Sequence, residues 1–223
     1  MKQNIIYQGN SVISVEIHPD YSHPVVIKKP SKRQPSRRIL RSLEKEYEMT
    51  RSLNAIEGVR KALGRQSGEN QPALILEYID GETLHDHIDR KTLNLRAKLE
   101  IAVDLARILG KIHQQDVIHL DLNCKNILIG NENQAVHLID LGAASGISGA
   151  AHQRVLPDQM LGTLPYISLE QTGRIKHAVD ERSDLNSLGV VLYELVTGQL
   201  PFDSKNPTDL IHHHIAQGSS DTN

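Results

Sequence analysis

Three polar side chains stand at the ends of short apolar runs in the second half of the chain. Asp121 and Asn126 lie within VIHLDLNCKNILIG, and Asp140 lies within HLIDLG. Mg²⁺ prefers oxygen ligands and keeps several waters, so a carboxylate, an amide oxygen and phosphate groups can complete its shell. Phosphoryl transfer needs mainly these groups, together with an ammonium that helps to hold a polyphosphate. The three residues therefore suit a metal and phosphate site.

The residues that precede this region predict a small β-rich part. Three short runs come first, NIIY, VISVEI and HPVVIKK, with turn-forming residues between them. A helical pattern follows over residues 36–53, with Leu40, Leu43 and Tyr47 on roughly one face. Two further strand candidates, VRKAL and ALILEYI, precede a turn or hinge that ends near Gly81. We expect an antiparallel meander with one helix.

The rest of the chain, residues 81–223, predicts a larger and mainly α-helical part. Helical patterns cover about residues 95–114 and 183–196, and the short apolar runs NILIG and AVHLID lie between them. Gly and Ser dominate GAASGISG, residues 142–149, which favours a mobile loop over a packed element. With residues 1–80 as the β-rich part, the chain predicts an α+β fold of two unequal parts.

The composition excludes several kinds of partner. The 25 Lys and Arg residues nearly balance the 27 Asp and Glu residues, so no overall basic charge favours nucleic acid or an anionic membrane. The most apolar stretch, residues 95–112, is interrupted by charges such as Arg96 and Asp104, which a membrane-spanning helix would not carry. The single cysteine, Cys124, excludes an internal disulfide. We therefore expect a cytoplasmic protein with no nucleic-acid or membrane partner.

Several runs resemble the protein kinase family. HLDLNCKN resembles the catalytic loop H-R-D-L-x-x-x-N, DLG resembles the metal-binding D-F-G, and VVIK resembles the strand V-A-I-K. GTLPYISLEQ resembles the segment that closes the activation loop, and SDLNSLGVVLYELVTGQLPF resembles the buried helix that anchors the catalytic loop, with Asp184 at its start. The matches keep the family's order from about Ile5 to Phe202. The chain is thereby identified as similar to a bilobal kinase domain, with residues 1–80 and 81–223 as its lobes.

The resemblance implies a role for each residue of the phosphate site. Asp121 would accept or steer the proton of the substrate hydroxyl, while Asn126 and Asp140 would hold Mg²⁺. Lys28 would reach the α and β phosphates of ATP, with Glu46 as its ion-pair partner.

The resemblance also implies further contacts to the nucleotide. Asn123 stands where most Ser/Thr kinases have a lysine, so Lys125 is the candidate for a cation at the γ-phosphate. Gly9, Glu77 and Ile79 are the remaining nucleotide-binding candidates.

The segment GTLPYISLEQ and its neighbours also indicate the substrate. Gly162-Thr163 followed by PYISLE resembles the Ser/Thr form of the substrate loop, which implies Ser/Thr protein substrates. The segment and its neighbours are also similar to kinase domains that open large bacterial multi-domain sensor proteins, which implies a role in signal transduction and further domains or partner chains. After PFDSKNPTDLIHHHIAQG the chain stops, where the family adds helices. We therefore expect an incomplete second lobe whose apolar surface another chain or a continuation covers.

Departures from the family pattern keep two alternatives open. Ser11 and Ser14 stand where the phosphate-covering loop has glycines, and Leu120 and Leu169 replace an Arg and a Pro. These changes motivate a pseudokinase or docking module that binds without turnover. A small-molecule phosphotransferase is the third choice, because such enzymes share the H-x-D-x-x-x-x-N loop.

Overall fold

The structure is a computed structural model. It describes six ranges of the chain, which are residues 4–9, 11–32, 35–66, 72–147, 163–173 and 177–202. The chain divides into two compact units: residues 1–80 with 140–142, and residues 81–139 with 143–223. That these units act as the two lobes of a kinase domain stays a prediction.

The first unit contains a five-stranded antiparallel sheet. Its strands are β1 (Asn4–Gln8), β2 (Ser11–Ile17), β3 (Pro24–Pro30), β4 (Ala62–Gln66) and β5 (Ala73–Glu77). Their spatial order is β1-β2-β3-β5-β4, so β3 lies in the middle of the sheet. Val26 packs against Leu43 and Tyr47 on one face, and Val25 and Ile27 pack on the other, so all three are buried. The expected meander with one inserted helix is therefore formed.

The helix of this unit is α1 (Arg37–Ser52), which the Ser36 side chain caps. Its buried residues recur at helical spacing and include a charge, because Glu46 lies beside Leu43 and Tyr47 on the inner face. Leu40, predicted on that face, is 38% exposed. Leu40 shares the face by its spacing, but the buried stripe begins one turn later, at Leu43.

The second unit carries three helices and several short strands among the described residues. They are β6 (Gly81–Thr83), α2 (Leu84–Asp89), α3 (Leu95–His113), β7 (Val117–Ile118), β8 (Ile127–Gly130), β9 (Val136–Leu138), β10 (Ser145–Gly146) and α4 (Glu181–Thr197). Strands pair in the order β6-β8-β9, and β7 pairs with β10. Short 3-10 helices cover Cys124–Asn126, Leu164–Tyr166 and Glu170–Thr172. The predicted α+β fold class is confirmed.

Two local predictions need correction. The strand predicted at VRKAL begins three residues later, at Ala62, because the chain first turns after α1. The run 142–149 was expected to favour a loop, yet Ser145 is buried and pairs with Ile118 across β10 and β7. Residues 148 and 149 lie outside the described residues. Strand pairing to a buried neighbour outweighs the composition here.

The surface of the second unit carries apolar side chains on two helices. Leu95, Leu99 and Val103 follow one another along α3 at intervals of four residues, and each is 47% exposed or more. Leu185 and Val196 are similarly exposed on α4. The C-terminal run that the sequence analysis singled out lies, from residue 203 on, outside the described residues. Within the described residues, none of the helices combines the length and apolarity needed to cross a bilayer.

Candidate active site

An ion-paired cluster of Lys28, Glu46 and Asp140 lies in the first unit. The Lys28 ammonium donates to Glu46 Oε1 at 2.7 Å and to Asp140 Oδ1 at 2.9 Å. Lys28 comes from the central strand β3 and Glu46 from the inner face of α1, so each is held by a buried element. The two side chains are 10% and 6% exposed. The predicted ion pair is therefore formed, and a third group joins it.

The Lys28 side chain stays an ammonium in this environment. Burial alone would lower its pKa, but the attraction of Glu46 and Asp140 and their hydrogen bonds raise the pKa of Lys28 above its ordinary value. A fixed positive charge is the property that a phosphate contact requires.

The turn that carries Asp140 leaves little space around the ion-paired cluster. Asp140 has a φ of 64°, which non-glycine residues rarely adopt. Its Oδ1 also accepts a hydrogen bond from the Gly142 amide at 3.1 Å. A Cβ on Gly142 would come within 3.0 Å of Asp140 Oδ1 and 3.2 Å of Glu46 Oε2. A side chain at position 142 would therefore press on both carboxylates.

A hydrogen-bonded cluster of Asp121, Asn123, Asn126 and Thr163 lies in the second unit. Asp121 Oδ1 accepts from Thr163 Oγ1 at 2.8 Å and from Asn123 Nδ2 at 3.1 Å. Its Oδ2 accepts from Asn126 Nδ2 at 3.1 Å. Both carboxylate oxygens therefore have donors, which fixes the plane of the carboxylate in the way a positioned general base requires.

Asn123 stabilises this cluster in two ways. Its Nδ2 group contacts Asp121 and, at 3.1 Å, Thr163, while its Oδ1 accepts from the amides of Lys125 and Asn126 at 3.0 and 3.2 Å. The two hydrogen bonds that Asn123 Oδ1 accepts cap the 3-10 helix Cys124–Asn126. A neutral amide thus occupies the position where most Ser/Thr kinases have a lysine. The sequence showed that Asn123 replaces this lysine, but it did not indicate that Asn123 contacts Asp121 and Thr163.

The two candidate metal ligands suit Mg²⁺ by their chemistry. Because Asn126 donates both hydrogen bonds from Nδ2, to Asp121 O at 2.9 Å and to Asp121 Oδ2, its amide oxygen is the atom left to accept a cation. No described residue donates to that oxygen. Asp140 offers a carboxylate 36% exposed. Among the described residues no group of three or more His, Cys, Asp or Glu forms a metal cage. An amide oxygen and a carboxylate are each the kind of oxygen ligand that Mg²⁺ uses together with waters and phosphates.

Buried Asp184 anchors the backbone that leads into Asp121. Its carboxylate accepts from the His119 and Leu120 amides and from His113 Nε2, all at 2.8 Å. Leu120 has a φ of 63°, and its carbonyl accepts from Gln171 Nε2 at 2.9 Å. These contacts hold a residue in an unfavourable backbone conformation, which is common next to functional sites.

A second buried carboxylate, Glu194 on α4, connects both segments that contact Asp121. Its Oε2 accepts from the Cys124 thiol at 3.0 Å and from the Tyr166 hydroxyl at 2.5 Å. Burial, reinforced by the hydrogen bond to Glu194, raises the pKa of the Cys124 thiol. The cysteine is therefore a structural donor.

The remaining predicted residues occupy the edges of their elements. Gly9 lies at the turn after β1, and a Cβ there would meet the Tyr7 ring. Glu77 ends β5, where its carboxylate accepts from the Lys61 amide at 3.2 Å, and Ile79 follows half-buried. Lys125 is exposed, and the described residues give its ammonium no hydrogen bond or ion pair. The roles of these four residues stay predictions.

Sequence reasoning assigned no contact with the predicted site residues to Arg60 or Thr163. Thr163 could have been found from its place in GTLPYISLEQ. Arg60, in the connection between α1 and β4, carries no motif; it is 8% exposed and is attracted by Asp140, Glu77 and Glu46. Its burial is a property of the folded unit and leaves no pattern in the sequence.

The chain belongs to the protein kinase domain family, whose match spans residues 5–222. The stated resemblance to this family is confirmed. Among curated relatives the chain is similar to serine/threonine-protein kinase PknB of Mycolicibacterium smegmatis, with 36% identity over 148 residues, and of Mycobacterium tuberculosis, with 34% identity over 147 residues. Each of these alignments covers 66% of this chain and 23% of the relative.

A third relative extends the comparison to another genus. The chain is 30% identical over 168 residues to the probable serine/threonine-protein kinase PknB of Bifidobacterium longum, which is 74% of this chain and 24% of the relative. The aligned part is thus about a quarter of the length of each of these three relatives.

Proposed function

We propose that the chain transfers the γ-phosphoryl group of ATP to a Ser or Thr hydroxyl of a protein substrate. The observation that carries the proposal is Asp121, whose two carboxylate oxygens are held by three side-chain donors at 2.8 to 3.1 Å. So precise a placement is what orienting a hydroxyl for in-line attack requires. Membership of the kinase family and the names of the relatives support Ser/Thr protein substrates.

The ion-paired cluster supports the nucleotide half of this proposal. Lys28 would contact the α and β phosphates while Glu46 keeps its ammonium in place. Asn126 and Asp140 would hold Mg²⁺, and the bound ion would offset the charge of the phosphates. A cytoplasmic location and a role in bacterial signalling, with further domains or partner chains, complete the proposal.

The test measures transfer of labelled γ-phosphate from ATP to a generic protein acceptor with Mg²⁺. Asp121→Asn keeps the size of the side chain but removes the charge, and we expect the rate to fall by about 10²- to 10⁴-fold. Asp20→Asn is the matched control, because its carboxylate is 80% exposed and lies in the other unit. A variant at position 121 that kept the full rate would eliminate the assigned role.

A pseudokinase or docking module is the second candidate. It is motivated by the serines at positions 11 and 14 in place of glycines, and by Leu120 and Leu169 in place of an Arg and a Pro. This candidate expects nucleotide or partner binding with no transfer to any acceptor, whether protein or small alcohol. Transfer to a small alcohol in preference to protein would instead favour the third choice, a small-molecule phosphotransferase.

A further inference from the structure

Among the described residues, Arg60 is a buried cation that forms no hydrogen bond or ion pair. The side chain is 8% exposed, and its Nε atom is inaccessible and makes no hydrogen bond. The described residues give the guanidinium neither a hydrogen bond nor an ion pair. Arginine is seldom buried in this way, because taking an uncompensated charge out of water is destabilising. Unless such a group binds a ligand, its burial only lowers the stability of the fold.

The surroundings of Arg60 indicate what could pair with it. Asp140, Glu77 and Glu46 attract the guanidinium, in that order, without forming an ion pair with it. Two of these carboxylates already accept from Lys28. Burial lowers the pKa of Arg60 to about 10, so the group is still charged at neutral pH. The first unit thus offers a second cation close to the residues proposed to hold the phosphates, with its donors unused.

We propose that Arg60 binds the phosphate groups of the nucleotide as a second cation beside Lys28. This inference rests on the proposed function only as far as nucleotide binding. Phosphate oxygens supply the acceptors that the planar guanidinium lacks, and its fork of donors matches them in pairs. Position 60 carries no motif, so only the folded structure assigns it this role.

The experiment compares wild type with Arg60→Met by calorimetric titration with adenosine, ADP and ATP in the presence of Mg²⁺. We expect unchanged affinity for adenosine and an affinity for ADP and ATP that is about tenfold lower. Without nucleotide, the melting temperature of Arg60→Met should rise by about 2–4 °C, because an unpaired buried charge is gone. Arg65→Met is the matched control, since Arg65 lies on β4 with a side chain 43% exposed.

Each outcome decides the inference. Equal losses for adenosine and ATP, or a lower melting temperature with unchanged ATP affinity, would show that Arg60 supports the fold. An unfolded Arg60→Met protein would show the same. Arg60→Lys, which keeps the charge, should retain most of the ATP affinity, and a loss equal to that of Arg60→Met would also count against a phosphate contact.

The same titrations separate this inference from the proposed function. Nucleotide binding without phosphoryl transfer would contradict the proposed function and leave the inference standing. Phosphoryl transfer by the wild type, together with equal losses of adenosine and ATP affinity in Arg60→Met, would contradict only the inference. A wild-type chain that binds no nucleotide would overturn both.

Discussion

The ion-paired cluster and the Asp121 cluster each hold a charged side chain in one position, but they do so by different interactions. Lys28, Glu46 and Asp140 hold one another by charge, with a buried ammonium between two carboxylates. Asp121 is held by neutral donors, two amides and a hydroxyl. In a buried charge cluster each member depends on the others for compensation, whereas neutral donors can be lost one at a time. The two clusters should therefore respond differently to single substitutions.

The largest effect is expected for Lys28→Met. Removing the ammonium leaves Glu46 buried beside Asp140 without its ion-pair partner, so the free energy of unfolding should fall by about 3–5 kcal/mol. Urea denaturation followed by circular dichroism measures the change. Nucleotide binding should be lost as well.

A double variant isolates the cause of that loss. Lys28→Met combined with Glu46→Leu removes both buried charges, and we expect most of the stability to return because a buried pair often gives way to apolar residues without loss. A double variant as unstable as Lys28→Met would contradict the view that an uncompensated charge is the cause.

A smaller effect is expected for Asn123→Ala in the Asp121 cluster. This change removes a helix cap and one donor to Asp121, which should lower the free energy of unfolding by about 1–2 kcal/mol. Phosphoryl transfer should slow by roughly tenfold with little change in the KM for ATP, because the carboxylate loses its orientation.

The matched control for this change is Asn123→Ser. Serine can still cap the 3-10 helix but is too short to reproduce the amide's contacts to both Asp121 and Thr163. It should recover part of the stability while the rate stays low. Recovery of stability and rate together would mean that Asn123 acts only as a cap.

The smallest effect is expected for thiol labelling of native Cys124. Because burial and Glu194 raise the pKa of this thiol, it stays protonated at pH 9, where a thiol with the ordinary value of 9.0 is half ionised. Iodoacetamide at pH 9 should label the urea-unfolded chain quickly and the native chain hardly at all, as mass spectrometry can show. Rapid labelling of native protein would mean that the Glu194 contact opens readily.

The sequence predicted those features that depend on local pattern. A short run of β-branched residues predicted β3, and helical spacing predicted α1. The Lys28 and Glu46 pair was implied by the resemblance to the kinase family. The helix α2 was missed, although Thr83 and Asp86 form a capping box that marks its start. Attention to that four-residue signal would have found it.

Other features could not be derived because they depend on contacts between distant segments. Thr163 lies 42 residues from Asp121, and only the folded second unit shows their hydrogen bond. Arg60 belongs to VRKAL, which predicted a strand too early, and nothing in that run distinguishes a buried arginine from an exposed one. Burial of a charge is decided by what the rest of the chain places around it.

Glu194 links the effects of substitutions at positions 124, 166 and 194. One carboxylate oxygen serves the Cys124 thiol and the Tyr166 hydroxyl, and these donors sit on the segments that carry Asn126 and Thr163. Replacing Glu194 with an apolar residue would leave the buried Cys124 thiol and Tyr166 hydroxyl without their acceptor. Replacing either donor would remove one hydrogen bond from the buried carboxylate. Substituting any one of these three residues alone should therefore destabilise this part of the second unit.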